Sequence, residues 1–222
     1  DIPRHIRIHC LLPESIQRCP WFGYSGLSLL PEVVRQINHD QSTLLFTNTR
    51  SHAERWYQAI LEARPEWSTV MALHHGSLDQ DERQRVEDGI KSGALRLVVA
   101  TSSLDLGVDF PPVENVIQIG SAKSIARAVQ RAGRAFHRPG EDTVVQLCPT
   151  NVMEILEASA LRQAMLGGVL EERTPLDKPL DVLVQCLLNA SFNEGFAPAD
   201  LCRQVRSAVS FRTVTDGEWS WA

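Results

Sequence analysis

The feature that most constrains the fold is a series of short apolar runs that are continuous rather than alternating. Such runs are typical of strands buried on both faces, whereas a strand with one wet face alternates apolar and polar residues. Amphipathic stretches separate the runs and predict helices. Strands that alternate with helices indicate an α/β fold, in which helices flank a parallel sheet. The predicted strands are 6–11, 43–46, 70–73, 95–100, 116–119 and 144–147, and the predicted helices are 29–37, 52–63, 80–92 and 124–135.

The pattern changes after Thr150. Residues 152–166 predict one helix, which Gly167-Gly168 and an acidic, proline-containing connector follow. Beyond the connector, three short helices are predicted at 180–191, 198–207 and 215–221. We therefore expect an α/β lobe over 1–150, a connecting helix and linker over 151–175, and an incomplete helical domain over 176–222.

Charge and cysteine content narrow the class of protein. The formal net charge is −5, from 22 Lys and Arg against 27 Asp and Glu, and taken alone this balance argues against a nucleic-acid partner. The five cysteines include no C-x-x-C pair, which favours a reducing compartment without zinc or disulfides. His74 and His75 have no third ligand at metal spacing, so no metal site is expected. Because there is neither a signal peptide nor an apolar run near ~20 residues, we expect a cytoplasmic protein without membrane contact.

Hydroxyl and amide residues follow three of the predicted strands. In an open parallel sheet, ligands bind outside the carboxyl ends of the strands, where helix N-termini offer unpaired N–H groups. Such groups suit phosphate oxygens, so the three loops together predict a surface for a phosphate backbone. The alternative is that these residues only cap helices, as the capping-box spacing of Ser77 and Gln80 suggests. The loops are Thr47-Asn48-Thr49-Arg50, His74-His75-Gly76-Ser77 and Thr101-Ser102-Ser103.

Residues 121–140 are basic and contain no Asp or Glu. Four arginines in this segment are spaced by four, three and four residues, which places them on one helix face if the helix extends that far. Like charges at this spacing repel, so a polyanion, either nucleotide phosphates or a nucleic-acid backbone, is the favoured partner. The alternative is a solvated basic face, or one paired with acids distant in the sequence. The basic residues are Lys123, Arg127, Arg131, Arg134 and Arg138.

Four segments resemble motifs of superfamily 2 helicases. Gln130-Arg-Ala-Gly-Arg134-Ala-Phe-His137 resembles motif VI, residues 99–109 resemble motif V, and residues 45–50 resemble motif IV. Between them, residues 75–83 resemble the element that contains Q-x-x-R. The set covers about 42–140 and is most similar to the Lhr (large helicase-related) proteins, and within them to the ligase-associated DEXH-box branch of bacterial DNA-repair helicases. The resemblance implies a second RecA-like lobe over 1–150 and the start of a winged-helix domain over 176–222.

The resemblance also implies residue roles. In such helicases ATP is hydrolysed between two lobes, and the second lobe supplies arginine fingers that stabilise charge on the γ-phosphate. Arg134 is then the leading finger, Gln130 and Arg131 support it, and His137 stands at the second finger position. Gly107 and Asp109 would approach the phosphate and ribose of ATP. The backbone of the tracked strand would contact Thr47, Asn48, Thr49, Arg50, Gly76, Arg83, Thr101 and Ser102.

Two departures from the family pattern matter. Phe136 replaces a glycine and His137 replaces an arginine, so Arg138 is a candidate for the second charge. Neither G-x-x-x-x-G-K-[ST] nor D-E-x-H occurs. We therefore expect ATP and Mg²⁺ to be held mainly by a first lobe that this chain lacks, and we expect the chain to be inactive alone.

The function that the resemblance implies is that of a motor lobe in an ATP-dependent 3′-to-5′ DNA helicase or translocase with a role in DNA repair. Its expected partners are single-stranded or 3′-tailed DNA, its own N-terminal RecA-like lobe, and a DNA ligase or nuclease of a repair operon. The alternatives are a non-catalytic nucleic-acid-binding α/β module and an RNA helicase lobe. A metabolite enzyme on a Rossmann-like sheet is disfavoured because the chain has no G-x-G-x-x-G fingerprint.

Overall fold

Six parallel strands form the centre of the lobe. In the computed structural model, which describes residues 6–13, 20–21, 23, 25–106, 108–135, 143–171, 174–192 and 195–222, the sheet order is β1-β6-β5-β2-β4-β3. Every neighbouring pair is parallel. The predicted α/β class is confirmed, and the predicted strand ends move by no more than two residues. The strands are β1 (Ile6–Cys10), β2 (Thr43–Phe46), β3 (Met71–His74), β4 (Leu97–Ala100), β5 (Asn115–Ile119) and β6 (Thr143–Cys148).

Helices cover both faces of the sheet. On one face, Val33, Trp56 and Ile60 pack against the strands, and on the other face Ile90 and Ala158 do so. Strands β2, β4 and β5 are buried at every position, which explains why their sequences are mostly apolar. The polar exceptions, Thr43, Asn115 and Gln118, are buried as well. The helices of the first face are α1 (Leu30–Gln36) and α2 (Arg50–Ala63), and those of the second face are α3 (Gln80–Lys91), α4 (Ile125–Ala132) and α5 (Val152–Leu166).

Helix α4 is shorter than the predicted helix 124–135. It ends at Ala132, and the chain then turns so that Ala135 forms a parallel bridge with Val113. The backbone N–H of Val113 donates to the carbonyl oxygen of Arg134 at 2.9 Å. Arg134 therefore follows the helix, and the condition for placing four arginines on one helix face is not met. Arg138 lies outside the described residues.

The chain divides into two compact units, Asp1–Glu171 and Glu172–Ala222. Helix α5, which the sequence predicted as part of a connector, lies within the first unit. The second unit contains α6 (Leu180–Phe192), α7 (Pro198–Ser207) and α8 (Asp216–Trp221), so its three predicted helices are confirmed. Within the part of this unit that the structure describes, no strand is present.

The second unit has a small interior of its own. Leu183 and Val214 are buried, and Thr215 with Glu218 forms a capping box at the start of α8. The ammonium group of Lys178 lies 3.1 Å from Oε1 of Glu218. In the described ranges, none of the helices is long and apolar enough to span a bilayer.

Candidate functional site

The loops at the carboxyl edge of the sheet are joined to one another. The N–H of Thr47 donates to the carbonyl oxygen of Ala100 at 2.8 Å, and the N–H of Thr101 donates to that of His74 at 3.2 Å. The side-chain amide of Asn48 donates to the carbonyl oxygen of Ser121 at 2.8 Å. The loops after β2, β3, β4 and β5 therefore form one continuous edge, as the sequence predicted for the first three.

The loop after β2 presents most of its polar groups to solvent. Thr49 caps α2, since its hydroxyl accepts from the N–H of His52 at 3.2 Å. Arg50 is exposed, and its Nε lies 3.4 Å from Oε1 of Glu54. Thr47 is fully buried and donates its hydroxyl to the carbonyl oxygen of Thr49 at 3.2 Å. The hydroxyl of Thr47 thus holds the loop in shape, while Thr49 and Arg50 are the groups that a ligand can reach.

A buried histidine ties the loop after β3 to the loop after β4. Nδ1 of His74 lies 2.7 Å from Oγ of Ser103, and that hydroxyl donates to the carbonyl oxygen of His74 at 3.1 Å. Since the hydroxyl proton is used in this way, Nδ1 is the donor to Oγ. Nε2 lies 3.5 Å from Oε1 of Glu87. Burial lowers the pKa of His74, and the carboxylate of Glu87 partly opposes that shift.

The other predicted backbone contacts lie along the same stretch of the edge. Gly76 and Ser102 are exposed, and a Cβ built on Gly76 would meet no atom within 4 Å. Thr101 is half-buried and donates its hydroxyl to Oγ of Ser103 at 3.4 Å. Arg83 is half-buried on α3, where its charge acts on the titration of His74. The open space at Gly76 leaves room for a phosphate to approach the main chain.

Arg131 is buried in the interior of the lobe. Its side chain is 1% exposed. Nε lies 2.8 Å from Oδ1 of Asp105, Nη2 lies 3.2 Å from Oδ2, and Nη1 donates to Oε1 of Gln118. The guanidinium also lies over the ring of Phe46, 4.6 Å from its centroid. Burial lowers the pKa of Arg131, and the hydrogen bonds and charge of Asp105 act against this shift.

Arg134 is bound to the loop that follows β4. Its Nη1 donates to the carbonyl oxygen of Val108 at 2.8 Å and its Nη2 to that of Asp105 at 3.1 Å. Its Cζ lies 5.0 Å from the centroid of the Phe110 ring. Arg134 is half-buried.

Sequence reasoning missed Asp105. The carboxylate that binds Arg131 also lies 3.4 Å, through Oδ2, from Nε of Arg127. The basic segment is therefore partly paired with an acid distant in the sequence, which is the alternative that the sequence left open. The available signal was a single carboxylate between Leu104 and Leu106 in an otherwise uncharged stretch.

The remaining predicted nucleotide contacts fall into two groups. Gln130 and Asp109 are exposed, where a ligand can reach them. Gly107 and His137 lie outside the described residues. Over the described ranges, no group of three or more His, Cys, Asp or Glu side chains could hold a metal ion. The cationic groups fit phosphate oxygens, and the described residues do not by themselves fit Mg²⁺.

A cavity of about 310 Å³ opens beside the loop after β2. It contains the predicted Asn48 and Thr49, together with three basic residues that were not assigned to the site: His52, Arg55 and Lys123. Lys123 has φ of +65°, a conformation that is uncommon for a non-glycine residue. In the sequence, Arg55 could have been found as a site residue from its position on α2, one turn beyond Ser51 at the start of the helix.

Two family models match the chain. The model described as helicase conserved C-terminal domain matches residues 26–140. The model described as large helicase-related protein, winged helix domain, matches residues 163–222. The first match contains every predicted site residue, and the second begins within α5.

Curated relatives and solved structures agree with these matches. ATP-dependent helicase Lhr-Core protein 2 of Thermococcus barophilus is 35% identical over 179 residues, which are 81% of this chain and 21% of the relative. The structure of Mycobacterium smegmatis helicase Lhr bound to ssDNA and AMP-PNP superposes with a TM-score of 0.84 at 30% identity, covering 98% of this chain and 28% of that one. The DUF1998 helicase MrfA bound to DNA, 20% identical with a TM-score of 0.64 over 86% of this chain and 25% of that one, shares the fold. The chain spans about a fifth of the length of the curated Lhr-Core relatives that it matches.

Proposed function

We propose, for a chain that belongs to the helicase conserved C-terminal domain family and to its large helicase-related (Lhr) branch, that it is the second RecA-like motor lobe of an ATP-dependent 3′-to-5′ DNA helicase or translocase. The observation that carries the proposal is the placement of Arg134, which is half-buried and whose guanidinium donates to two main-chain carbonyl oxygens of the loop after β4. The more specific assignment to the ligase-associated branch stays a prediction.

Arg134 has the chemistry that phosphoryl transfer requires. Its guanidinium donates to two carbonyl oxygens, which orient the group without neutralising it. The positive charge therefore remains available to the negative charge that develops on the γ-phosphoryl oxygens of ATP. A positioned arginine of this kind contributes on the order of 10³–10⁵ in turnover.

The other nucleotide contacts complete this site. Gln130 and Asp109 would approach the nucleotide from the surface of the lobe, with Gly107 beside Asp109 and His137 beyond Arg134 in the sequence. Arg131 supports the site from within the lobe, since its guanidinium is buried. A first lobe would hold most of the ATP and its Mg²⁺, which neutralises charge on the phosphate oxygens when bound.

The continuous loop edge would hold the backbone of the tracked strand. Contacts through main-chain N–H groups, hydroxyls and arginines recognise phosphates without regard to sequence, as a motor on DNA requires. The Mycobacterium smegmatis relative was solved with ssDNA, which supports DNA over RNA. The proposed contacts are Asn48, Thr49, Arg50, Gly76, Arg83, Thr101 and Ser102, with Thr47 holding the first loop from beneath.

The test is Arg134→Ala in the full-length protein. We expect DNA-stimulated ATP hydrolysis to fall at least about 10³-fold, while affinity for ssDNA, measured by fluorescence anisotropy, stays within about twofold. Arg35→Ala is the matched control, because Arg35 is an exposed arginine of the same lobe that pairs with Glu32. Full ATPase activity in the Arg134 variant would exclude the finger assignment.

Two finer parts of the proposal have their own tests. Unwinding of a 3′-tailed duplex but not of a 5′-tailed duplex would support the proposed polarity. A role in DNA repair, alongside a ligase or nuclease, predicts that a strain lacking the gene is more sensitive to DNA-damaging agents. Equal sensitivity of the mutant and parent strains would contradict that role.

A further inference from the structure

We propose that Asp105 is a positioning residue for ATP hydrolysis, which sets the arginine cluster in place without touching the substrate. The arginine cluster is defined as Arg127, Arg131 and Arg134. This inference rests on the proposed function, because it assigns to Asp105 an effect that is exerted through Arg134.

Asp105 contacts every member of the arginine cluster. Its two carboxylate oxygens bind Arg131 at 2.8 and 3.2 Å, and Oδ2 lies 3.4 Å from Nε of Arg127. Its main-chain carbonyl oxygen accepts from Nη2 of Arg134 at 3.1 Å. One residue of the loop after β4 therefore fixes groups from α4 and from the turn that follows it.

The geometry of the pair with Arg131 is rigid. Asp105 is buried, and the parallel two-oxygen contact fixes both the distance and the plane of the guanidinium. Arg131 is further held between Gln118 on β5 and the ring of Phe46 at the end of β2. The carboxylate of Asp105 is thus anchored to the sheet through Arg131, and so is the carbonyl group of the same residue.

The carboxylate of Asp105 pairs unequally with the three arginines. Arg131 takes both oxygens of the single carboxylate, whereas Arg127 has the longer contact and a side chain that is 39% exposed. Among the described residues, Arg134 donates to two carbonyl oxygens and has no carboxylate partner. The carboxylate therefore compensates the buried charge and leaves the charge of Arg134 free to act on phosphate.

Asp105 therefore affects ATP hydrolysis through the position of Arg134. If the hydrogen bonds between the carboxylate of Asp105 and Arg131 are lost, the carbonyl group of Asp105 is no longer held in place. Arg134, which donates to that carbonyl oxygen, then shifts with it. A displacement of about 1 Å at a reacting group can cost about 100-fold in rate. Thr101, on the same loop, is held separately by the carbonyl oxygen of His74 and by Ser103, and the first lobe is expected to hold most of the ATP. Ground-state binding of DNA and ATP is therefore not expected to change.

The test is Asp105→Asn in the full-length protein, with DNA present. We expect kcat for ATP hydrolysis to fall about 100-fold, with KM for ATP and affinity for ssDNA within twofold of wild type. Binding of fluorescent ADP with aluminium fluoride, which mimics the transition state, should weaken, and binding of AMP-PNP should not. The control is Asp40→Asn, since the Asp40 side chain is 92% exposed. An Asp105→Asn protein with wild-type kcat and wild-type affinity for the transition-state mimic would overturn the proposal.

A double-variant comparison separates positioning from general destabilisation. If Asp105 acts through Arg134, Asp105→Asn combined with Arg134→Ala turns over no more slowly than Arg134→Ala alone. Asp105→Glu, which keeps the carboxylate, should recover most of the turnover. If the losses of turnover in the two single variants instead multiply in the double variant, the proposal is overturned.

Two further outcomes are decisive. If Asp105→Asn does not fold, the double variant that combines it with Arg131→Gln removes the uncompensated buried charge. Wild-type turnover in this double variant would overturn the proposal, and a 100-fold lower kcat would support it. If Arg134→Ala itself retains full ATPase activity, the proposed function fails. If Arg134→Ala is inactive while Asp105→Asn is normal, only the role of Asp105 fails.

Discussion

Arg131 is a guanidinium group that the fold has taken almost completely out of water. Such a transfer is costly unless the charge is paired and its donors are satisfied. Asp105, Gln118 and the ring of Phe46 supply these partners. Arg131 is therefore as much a part of the interior of the lobe as the apolar residues around it.

Removing Arg131 should destabilise the lobe strongly. Arg131→Met would leave the carboxylate of Asp105 buried without its main partner, and breaking a buried pair in this way costs about 3–5 kcal/mol. Urea unfolding of the 222-residue chain measures the free energy of unfolding. Arg35→Met, at an exposed pair with Glu32, should cost less than about 1 kcal/mol. Equal costs for the two variants would contradict the structural role of Arg131.

His74 should make the lobe less stable in mild acid. Because burial lowers the pKa of His74 from its ordinary value of 6.5, the unfolded chain binds its proton more tightly than the folded chain does. Stability is therefore full above pH 6.5 and falls as the pH drops below it, by up to about 1.4 kcal/mol per pH unit. Unfolding free energies between pH 7.5 and 5.5 measure the slope.

The control variants for this pH dependence are both changes to asparagine. His74→Asn keeps a donor for Ser103 and removes the titrating group, so its slope should be flatter. His39→Asn changes a histidine whose side chain is 59% exposed and should keep the wild-type slope. A wild-type slope in the His74 variant would exclude His74 as the source.

Residue-scale contacts show where the sequence was informative. The candidate role of Arg134 came from the resemblance of residues 130–137 to motif VI. Its partners did not, because the carbonyl oxygens of Asp105 and Val108 are main-chain groups that no side-chain pattern reports. The pairing of Asp105 with Arg131 joins residues 26 positions apart, so a search for acids near the basic segment could not find it.

Among the elements, α4 has an N-terminus with two separate caps. The hydroxyl of Ser124 accepts from the N–H of Arg127 at 3.1 Å. The carboxylate of Glu171 accepts from the N–H groups of Ile125 and Ala126, the latter at 3.0 Å. A negative charge at this end also interacts favourably with the helix dipole. The helix that carries Arg127 and Arg131 is therefore fixed at its start by a residue 46 positions away.

Glu171→Gln should loosen α4. The change removes the charge and one of the two acceptor oxygens, and we expect a loss of about 1 kcal/mol in local stability. Amide hydrogen exchange over 125–132 should become about fivefold faster, which corresponds to that energy. Glu157→Gln, at an exposed residue of α5, is the matched control and should leave exchange unchanged. Unchanged exchange in both variants would contradict the capping role.

The elements themselves were largely predictable from periodicity. Helices α5 and α7 have the predicted ends, because Asn151 caps α5 and Pro198 starts α7. The end of α4 was not predictable, since the spacing of Arg131 and Arg134 continues a helical pattern beyond Ala132. The bridge between Ala135 and Val113 ends the helix, and it depends on a segment that is distant along the chain.

At the scale of the whole molecule, the net charge is a poor guide to the partner. The chain is acidic overall, yet its carboxyl edge presents Arg50, Arg55 and Lys123 close to the predicted backbone contacts. An average over the chain does not report which charged groups lie at this edge.

The 222-residue chain should not hydrolyse ATP on its own. It contains no G-x-x-x-x-G-K-[ST] sequence, and the described residues offer no cluster that could hold Mg²⁺. A coupled phosphate-release assay with and without ssDNA should give background rates, beside the full-length protein as the positive control. DNA-stimulated hydrolysis by this chain that Arg134→Ala abolishes would contradict the expected division between two lobes.

The pairing of β1 with β6 has a consequence for synthesis on the ribosome. Ile6 pairs with Thr143 and Cys10 with Leu147, so β1 must wait, once it is synthesised, for β6 before its ladder can form. Nascent chains emerge at about 5–20 residues per second, and β1 therefore remains without its partner strand for several seconds. Until β6 is made, the unpaired N–H and C=O groups of β1 are open to pairing with another chain, which makes this interval the one in which aggregation through β1 is favoured.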